Sequence, residues 1–273
     1  MNEVRKRELL QECEAYLVDE AVAHRTWVPE GFTQLPNRSD ATTEELWLAF
    51  RFLVNVRPPW PAAQQFLVDQ DELLQGMIEE SRIHTLADAE PSVRNGRMRL
   101  WRGDITTLAV DAIVNAANSA MTGCWQPLHY CIDNTIHTFA GVQLRAKMTE
   151  IMAAQGHEEP TGEAKMTSAY NLPAKHVIHT VGPIADGHPT DLHRQQLAQC
   201  YRACLDRALE AGCVSIAFCC ISTGVFGFPQ HEAAMIAVTT VRDWLDIHGE
   251  SALIVVFNVF GEEDERIYRE LLM

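Results

Sequence analysis

From residue 97 to the C-terminus, five short runs rich in β-branched and aromatic residues alternate with segments of helical periodicity. The runs are RMRLW, DAIVNA, HVIHTV, VSIAFCC and LIVVFNV. Between them, Ile136, Phe139, Ala140, Leu144, Met148 and Ile151 recur at helical spacing and predict one amphipathic helix. Leu197, Tyr201, Cys204, Leu205 and Ala208 predict a second, and Ile236, Ala237, Val241, Trp244 and Leu245 a third. The closing EEDERIYRELLM predicts a fourth. Strands this apolar are buried on both faces, and strands interleaved with helices give a largely parallel sheet covered on both sides. The fold class is α/β. In such sheets, ligands bind beyond the carboxyl ends of the strands.

Residues 1–92 follow a different pattern, so the chain divides near residue 92 into a helical N-terminal extension (1–92) and an α/β domain (93–273). In the extension, Leu9, Leu10, Cys13, Tyr16 and Leu17 lie at helical spacing, and AAQQFLVDQDELLQGMIEESR reads as a further helix. TTEELWLAFRFLVNV opens with a capping box, Thr42 followed three residues later by Glu45. The stretches VPEGFTQLPNRSD and RPPWPAA supply the breaks. This segment holds 8 basic and 17 acidic residues, so −9 of the chain's net −15 lies here. It reads as a helical appendage packed on the main domain, with a partner-binding or lid role as the alternative, and no residue of it is expected to carry chemistry.

The net charge of −15 argues against a nucleic-acid backbone or an anionic membrane as the main partner, since both need clustered Lys and Arg. The start, MNEVRKRELLQECEAYLVDE, lacks the apolar stretch of a signal peptide, and no run is long enough to span a membrane. With eight cysteines not spaced as a secreted framework, the chain reads as a cytoplasmic protein with buried or metal-bound thiols. The GxGxxG fingerprint is absent, which argues against hydride transfer; so is the zinc-deaminase pattern.

Three strand exits invite a phosphorylated ligand. FCCISTGVFGFP passes through Ser222, Thr223, Gly224 and Gly227 before a helix begins after Pro229. Successive N–H groups there suit a pyrophosphate, although a tight strand–helix turn uses the same residues. DAIVNAANSAMTG places the carboxamides of Asn115 and Asn118 just past a strand, for sugar hydroxyls or for Asx-turns. Asp104 of RGDIT ends the first strand, ready to accept from an adenine amino group or to cap a helix.

RGDITTLAVDAIVNAAN, IDNTIHTFAG, GEAKMTSAYNLPAKHVIHTVGP and ISTGVFGFP, in that order and spacing, resemble the macrodomain family of ADP-ribose binders and hydrolases, from about residue 97 to the C-terminus. The resemblance implies a three-layer α/β/α sandwich around a mixed sheet. It implies that Asp104 and the adjoining Ile105 bind the adenine end, with Phe260 lining the adenine pocket. Ser222, Thr223, Gly224, Val225 and Phe226 would cradle the diphosphate, with Phe226 beside the distal ribose and Asn115 and Asn118 facing that ribose.

Where many macrodomains carry a glycine run, this chain has GCWQPLHYCIDNTIH. Cys124, His129 and Cys131 offer two thiolates and an imidazole, the ligand count of a catalytic zinc that keeps one position open; two buried cysteines and an unrelated histidine fit the spacing as well. The start of a helix at Cys131 is expected to favour its thiolate. His137 lies about one and a half helical turns beyond Cys131; it reads as structural, as do His176 and His179, though a fourth-ligand role for His137 stays open. The cluster closely resembles that of zinc-dependent macrodomains of microbial pathogens, which also have a helical N-terminal extension. That resemblance implies a bound Zn2+ and removal of mono-ADP-ribose from a modified protein, reversing a sirtuin-type transferase linked to lipoyl-carrier proteins. Asp133 matches the family's acidic position and would orient or deprotonate water, with Asn118 fixing the ribose. A non-catalytic ADP-ribose reader and a hydrolase of small esters such as O-acetyl-ADP-ribose remain as alternatives.

Overall fold

The computed structural model describes residues 1–29, 31 and 40–273, so most of the predicted break at 28–40 lies outside the described residues. Packing groups the chain into two compact units. One comprises residues 1–82, 122–150 and 170–172; the other comprises 83–121, 151–169 and 173–273.

In the first unit, α1 (Glu3–Ala23), α2 (Thr43–Val56) and α3 (Gln64–Glu80) form where helical periodicity placed them. The capping box is present: Thr42 Oγ1 accepts from Glu45 N–H, and the Glu45 carboxylate accepts from Thr42 N–H at 2.7 Å. The apolar faces close on one another through Leu9, Leu10, Leu46, Phe50, Leu73 and Leu74, all fully buried. Truncating any one of these to Ala would cost about 2–5 kcal/mol. An almost buried ion pair, Arg57 Nε to Glu20 Oε2 at 2.6 Å, ties α1 to the end of α2.

The same unit includes α4 (Ile132–Ala140) and the start of α5 (Val142–Gln155). One continuous helix was expected from Ile136 to Ile151; the structure corrects this to two. Gly141 breaks the run at φ +96°, and a Cβ there would lie 2.6 Å from Gln70 Nε2 and 3.0 Å from Asn171 Nδ2. Periodicity on either side of the break is in phase, which hid it. Val142 and Phe139 join the core made by α1 to α3.

Glu14 is fully buried in this unit, and among the described residues neither carboxylate oxygen has a hydrogen-bond partner. Burial pushes its carboxyl from 4.5 up to about 8. The folded state therefore holds Glu14 neutral, while the unfolded chain ionises it from about pH 4.5. Its contribution to stability is fully present below pH 4.5 and is lost as pH rises towards 8. Glu14→Met is expected to stabilise the protein by on the order of 2 kcal/mol more at pH 7 than at pH 4.5, where only the gain from removing an unpaired neutral carboxyl remains. Thermal midpoints across that range, wild type against variant, test it; a pH-independent difference refutes it.

The second unit is built on a seven-stranded sheet. In chain order its strands are β2 (Glu90–Pro91), β3 (Met98–Arg102), β5 (Ala112–Ala117), β6 (Ala164–Ser168), β7 (His176–Val181), β8 (Ser215–Phe218) and β9 (Ile254–Val259). Short β1 (His84–Thr85) and β4 (Leu108–Ala109) pair separately. The spatial order is β2-β3-β9-β8-β5-β7-β6. The five central strands run parallel, and β2 and β6 flank them antiparallel. The five predicted runs are the five parallel strands. β6 was missed because an edge strand reading Ala-Lys-Met-Thr-Ser buries too little to show a pattern. Helices α6 (Asp191–Glu210), α7 (Gln230–Ile247) and α8 (Glu262–Leu272) follow where predicted, α6 burying Leu197, Tyr201, Cys204, Leu205 and Ala208. No helix among the described residues is long and apolar enough to cross a membrane.

Candidate active site

Parallel strands end on one edge of the sheet, so the exits of β3, β5, β8 and β9 carry Asp104, Asn118, Ser222 and Phe260 to that edge. Asp104 caps a short 3-10 turn, its Oδ1 accepting from Thr106 N–H at 2.9 Å and from Thr106 Oγ1 at 2.7 Å. Ile105, the first residue of that turn, is buried. Asn258 Nδ2 donates to Gly103 O at 2.9 Å and fastens this turn to the end of β9, beyond which Phe260 is exposed.

The loop after β8 is held open by its backbone. Ser222 takes φ +66° although it is not glycine, and Phe228 N–H returns to Ser222 O at 2.9 Å. Phe226 O accepts from Ala185 and Asp186 N–H, pinning the loop to the segment after β7. Among the described residues nothing accepts from the N–H groups of Gly224, Val225 and Phe226, at a turn where Gly224 and Val225 are exposed. Three such donors in sequence suit a diphosphate.

Asn115 and Asn118 differ in their surroundings. Asn118 Oδ1 accepts from Met121 N–H at 3.1 Å, closing a turn just past β5. Asn115 was expected past the strand; it lies within β5 and is fully buried. Its Nδ2 donates to His179 Nδ1 at 3.1 Å, and His179 Nε2 in turn donates to Thr167 Oγ1 at 3.1 Å. Burial pulls His179 down to about 3, so it is neutral and can accept at Nδ1. His179 is structural, as expected, but it also fixes the carboxamide of Asn115. His179→Leu strips a partner from both Asn115 and Thr167 and is expected to cost about 2–3 kcal/mol. A thermal midpoint within 1–2 °C of wild type would show the network to be dispensable.

In the first unit, the loop from Thr122 to α4 brings together the predicted metal ligands. Ligand atoms of Cys124, His129 and Cys131 lie within 4.8 Å of one another, and Cys124 Sγ is 3.6 Å from His129 Nδ1. Around a tetrahedral zinc, a thiolate at about 2.3 Å and a ring nitrogen at about 2.0 Å stand roughly 3.6 Å apart, so this donor set fits the ion. His137 does not join the cluster. Cys131 caps α4, its Sγ accepting from Asn134 N–H at 3.4 Å. The thiolate expected from that position is not favoured without a cation. Burial outweighs the Asn134 N–H, Cys124 and Asp133 add to it, and the thiol is pushed up to about 12.

Asp133, in the first turn of α4, is buried, with Oδ1 3.6 Å from Nε2 of the equally buried His137. Gly123, at φ +83°, lies flat against the His137 ring, which a Cβ would meet at 2.8 Å.

Sequence reasoning missed the residues that hold this loop. Arg51 donates to His129 O and Asn134 Oδ1, while Asn55 bonds to Leu128, Asn134 and Thr138. The buried Arg145 guanidinium donates to the carbonyls of Thr122 and Cys124 and to those of Val54, Asn55 and Arg57 at the end of α2. The ring of Trp125 covers it at 4.1 Å. None of these stands in a local motif.

The Macro domain family profile matches residues 114–237. A protein-ADP-ribose hydrolase of Treponema medium is 56% identical over 241 residues, 88% of this chain and 90% of its own. The chain belongs to the macrodomain family. A second relative of this macrodomain, the protein-ADP-ribose hydrolase of Staphylococcus aureus (strain MRSA252), is 50% identical over 83% of this chain and 85% of its own. Among solved structures, the Trypanosoma brucei macrodomain in complex with ADP-ribose aligns with a TM-score of 0.63 at 30% identity, over 82% of this chain and 95% of that one. The fold is therefore the one the motifs implied, a mixed sheet with helices on both sides, preceded by N-terminal helices.

Proposed function

We propose that this macrodomain is a zinc-dependent hydrolase that removes mono-ADP-ribose from a modified protein. The observation that carries the reading is the Cys124–His129–Cys131 donor set, with Asp133 buried two residues further on at the start of α4. The names of the relatives at 50–56% identity support the hydrolase half. A reader of ADP-ribose has no use for two thiolates and an imidazole beside an acid.

The adenine end is held by Asp104 and Ile105 and flanked by Phe260. The N–H groups from Ser222 through Thr223, Gly224 and Val225 to Phe226 cradle the diphosphate, and Asn118 orients the distal ribose, while Asn115, buried within β5 and bonded to His179, supports the strand behind it. The modified protein, to which ADP-ribose is joined through a carboxylate oxygen, is a lipoyl-carrier protein modified by a sirtuin-type transferase in the cytoplasm. Residues 1–92 are the helical extension and 93–273 the macrodomain proper. When bound, zinc supplies a Lewis acid for a ribose hydroxyl or a water and stabilises negative charge there. Asp133 takes the proton of the attacking water. The water oxygen forms the new bond to ribose C1″ as the bond from C1″ to the acceptor oxygen breaks. Free ADP-ribose and the protein's carboxylate leave, and Asp133 returns its proton to solvent.

The test is release of ADP-ribose from a carboxylate-linked mono-ADP-ribosylated protein by purified, chelator-stripped and zinc-restored enzyme. Activity should vanish on stripping and return with zinc. Equal activity in all three samples would remove zinc from the mechanism, and tight ADP-ribose binding without turnover in any sample would make the protein a reader.

A further inference from the structure

We infer that helix α2 is part of the metal centre, and that Arg51 and Asn55 on it are positioning residues for zinc. The inference rests on the zinc reading above and concerns how the donor set is held. The ligands sit on a ten-residue loop, Thr122–Cys131, without regular structure, and Leu128 within it takes φ +58°. Such a loop has few internal bonds to fix three ligand atoms, so the fixing must come from outside it.

It comes from α2. Asn55 is 2% exposed and bonds through both its oxygen and its nitrogen. Oδ1 accepts from Leu128 N–H at 3.0 Å and from Asn134 Nδ2 at 2.9 Å, while Nδ2 donates to Thr138 Oγ1 at 3.0 Å. The first bond holds the residue immediately before His129. Asn134, which Asn55 orients, supplies the N–H that caps on Cys131 Sγ and donates to Gln126 O inside the loop. Arg51, one turn earlier on α2, donates through one nitrogen to His129 O at 3.2 Å and to Asn134 Oδ1 at 3.0 Å. Its guanidinium also lies 5.6 Å from the ring centre of Tyr130, between two of the ligands. Two residues on one helix therefore reach both sides of His129 and, through Asn134, Cys131. Partners behind metal ligands typically change affinity by about 10–100-fold.

On this inference a segment expected to carry no chemistry positions the residues that do. α2 supplies none of the three donor atoms; it sets the geometry of the loop that would hold zinc. Since zinc binds only the folded loop, zinc and the helical core should stabilise one another.

The experiment measures zinc affinity of the full-length protein by competition with a chromogenic chelator, together with the visible spectrum of the cobalt-substituted form. Arg51→Gln, at a partly buried position, and Asn55→Leu are compared with wild type. Arg5→Gln serves as a control that breaks the surface pair to Glu72 in the same helical core. Zinc affinity is expected to fall 10–100-fold in Arg51→Gln and Asn55→Leu and to stay within twofold in Arg5→Gln. The cobalt bands should shift in the first two only. Should Asn55→Leu fail to fold, Arg51→Gln alone decides. Folded Arg51→Gln with wild-type zinc affinity and an unshifted cobalt spectrum overturns the inference and leaves the zinc reading intact. A wild-type chain that takes up no zinc overturns both.

Discussion

Cys131→Ser is expected to abolish tight zinc binding and to slow ADP-ribose release from a modified protein by at least about 100-fold, because it removes one of the three proposed ligands and leaves a hard oxygen in its place. The Cys131 Sγ also receives the Asn134 N–H at the start of α4, a bond that serine can keep. The loss should therefore appear in metal content and turnover more than in folding. Asp133→Ala provides the contrast. Zinc should stay bound, since Asp133 is outside the donor cluster, while turnover falls by about 10²–10⁴-fold through loss of the proposed general base. Metal analysis and steady-state rates on both variants separate the two roles. Retained activity in Cys131→Ser would mean that the acid and the ribose contacts suffice, whereas retained activity in Asp133→Ala would place the whole burden on the metal.

Arg145→Met is expected to destabilise the protein by about 3–5 kcal/mol, as much as truncating a core side chain, and to lower the thermal midpoint by on the order of 10 °C. Burial draws the Arg145 guanidinium down to about 10, still charged at neutral pH. It answers five carbonyl oxygens at once, from Thr122, Cys124, Val54, Asn55 and Arg57. Those of Val54, Asn55 and Arg57 are orphans of a helix end, where a cation is favoured on both hydrogen-bonding and dipole grounds. Methionine fills similar volume but offers no donor, so the carbonyls are left buried and unsatisfied. A loss below 1 kcal/mol in thermal or denaturant unfolding would show that water replaces the guanidinium.

Much of the fold was legible before any coordinates. The five parallel strands are runs of apolar residues too short and too β-branched for helices, and burial on both faces leaves little choice but a parallel sheet. Thr42 and Glu45 announced the start of α2 because a capping box is a contact between neighbours in sequence. The break at Gly141 and the edge strand β6 escaped for the same reason in reverse. The partners of Gly141, Gln70 and Asn171, lie 71 and 30 residues away, and β6 exists through pairing with β7.

The metal cluster divides the same way. Cys124, His129 and Cys131 fall within eight residues, so the sequence by itself determined which atoms could meet. Their support was decided by tertiary structure alone. Asn55 lies 73 residues from Leu128, and Arg51 lies 78 from His129. A polar residue on a helix announces nothing about the loop it will face until packing of Phe50, Leu53 and Leu46 has fixed which side of α2 turns inward. Asn115 shows the converse limit. The motif gave its identity, but only the pairing of β5 with β7 set it opposite His179. Local patterns are written in the residues that form them, whereas a contact across the chain depends on every element that orients its two ends.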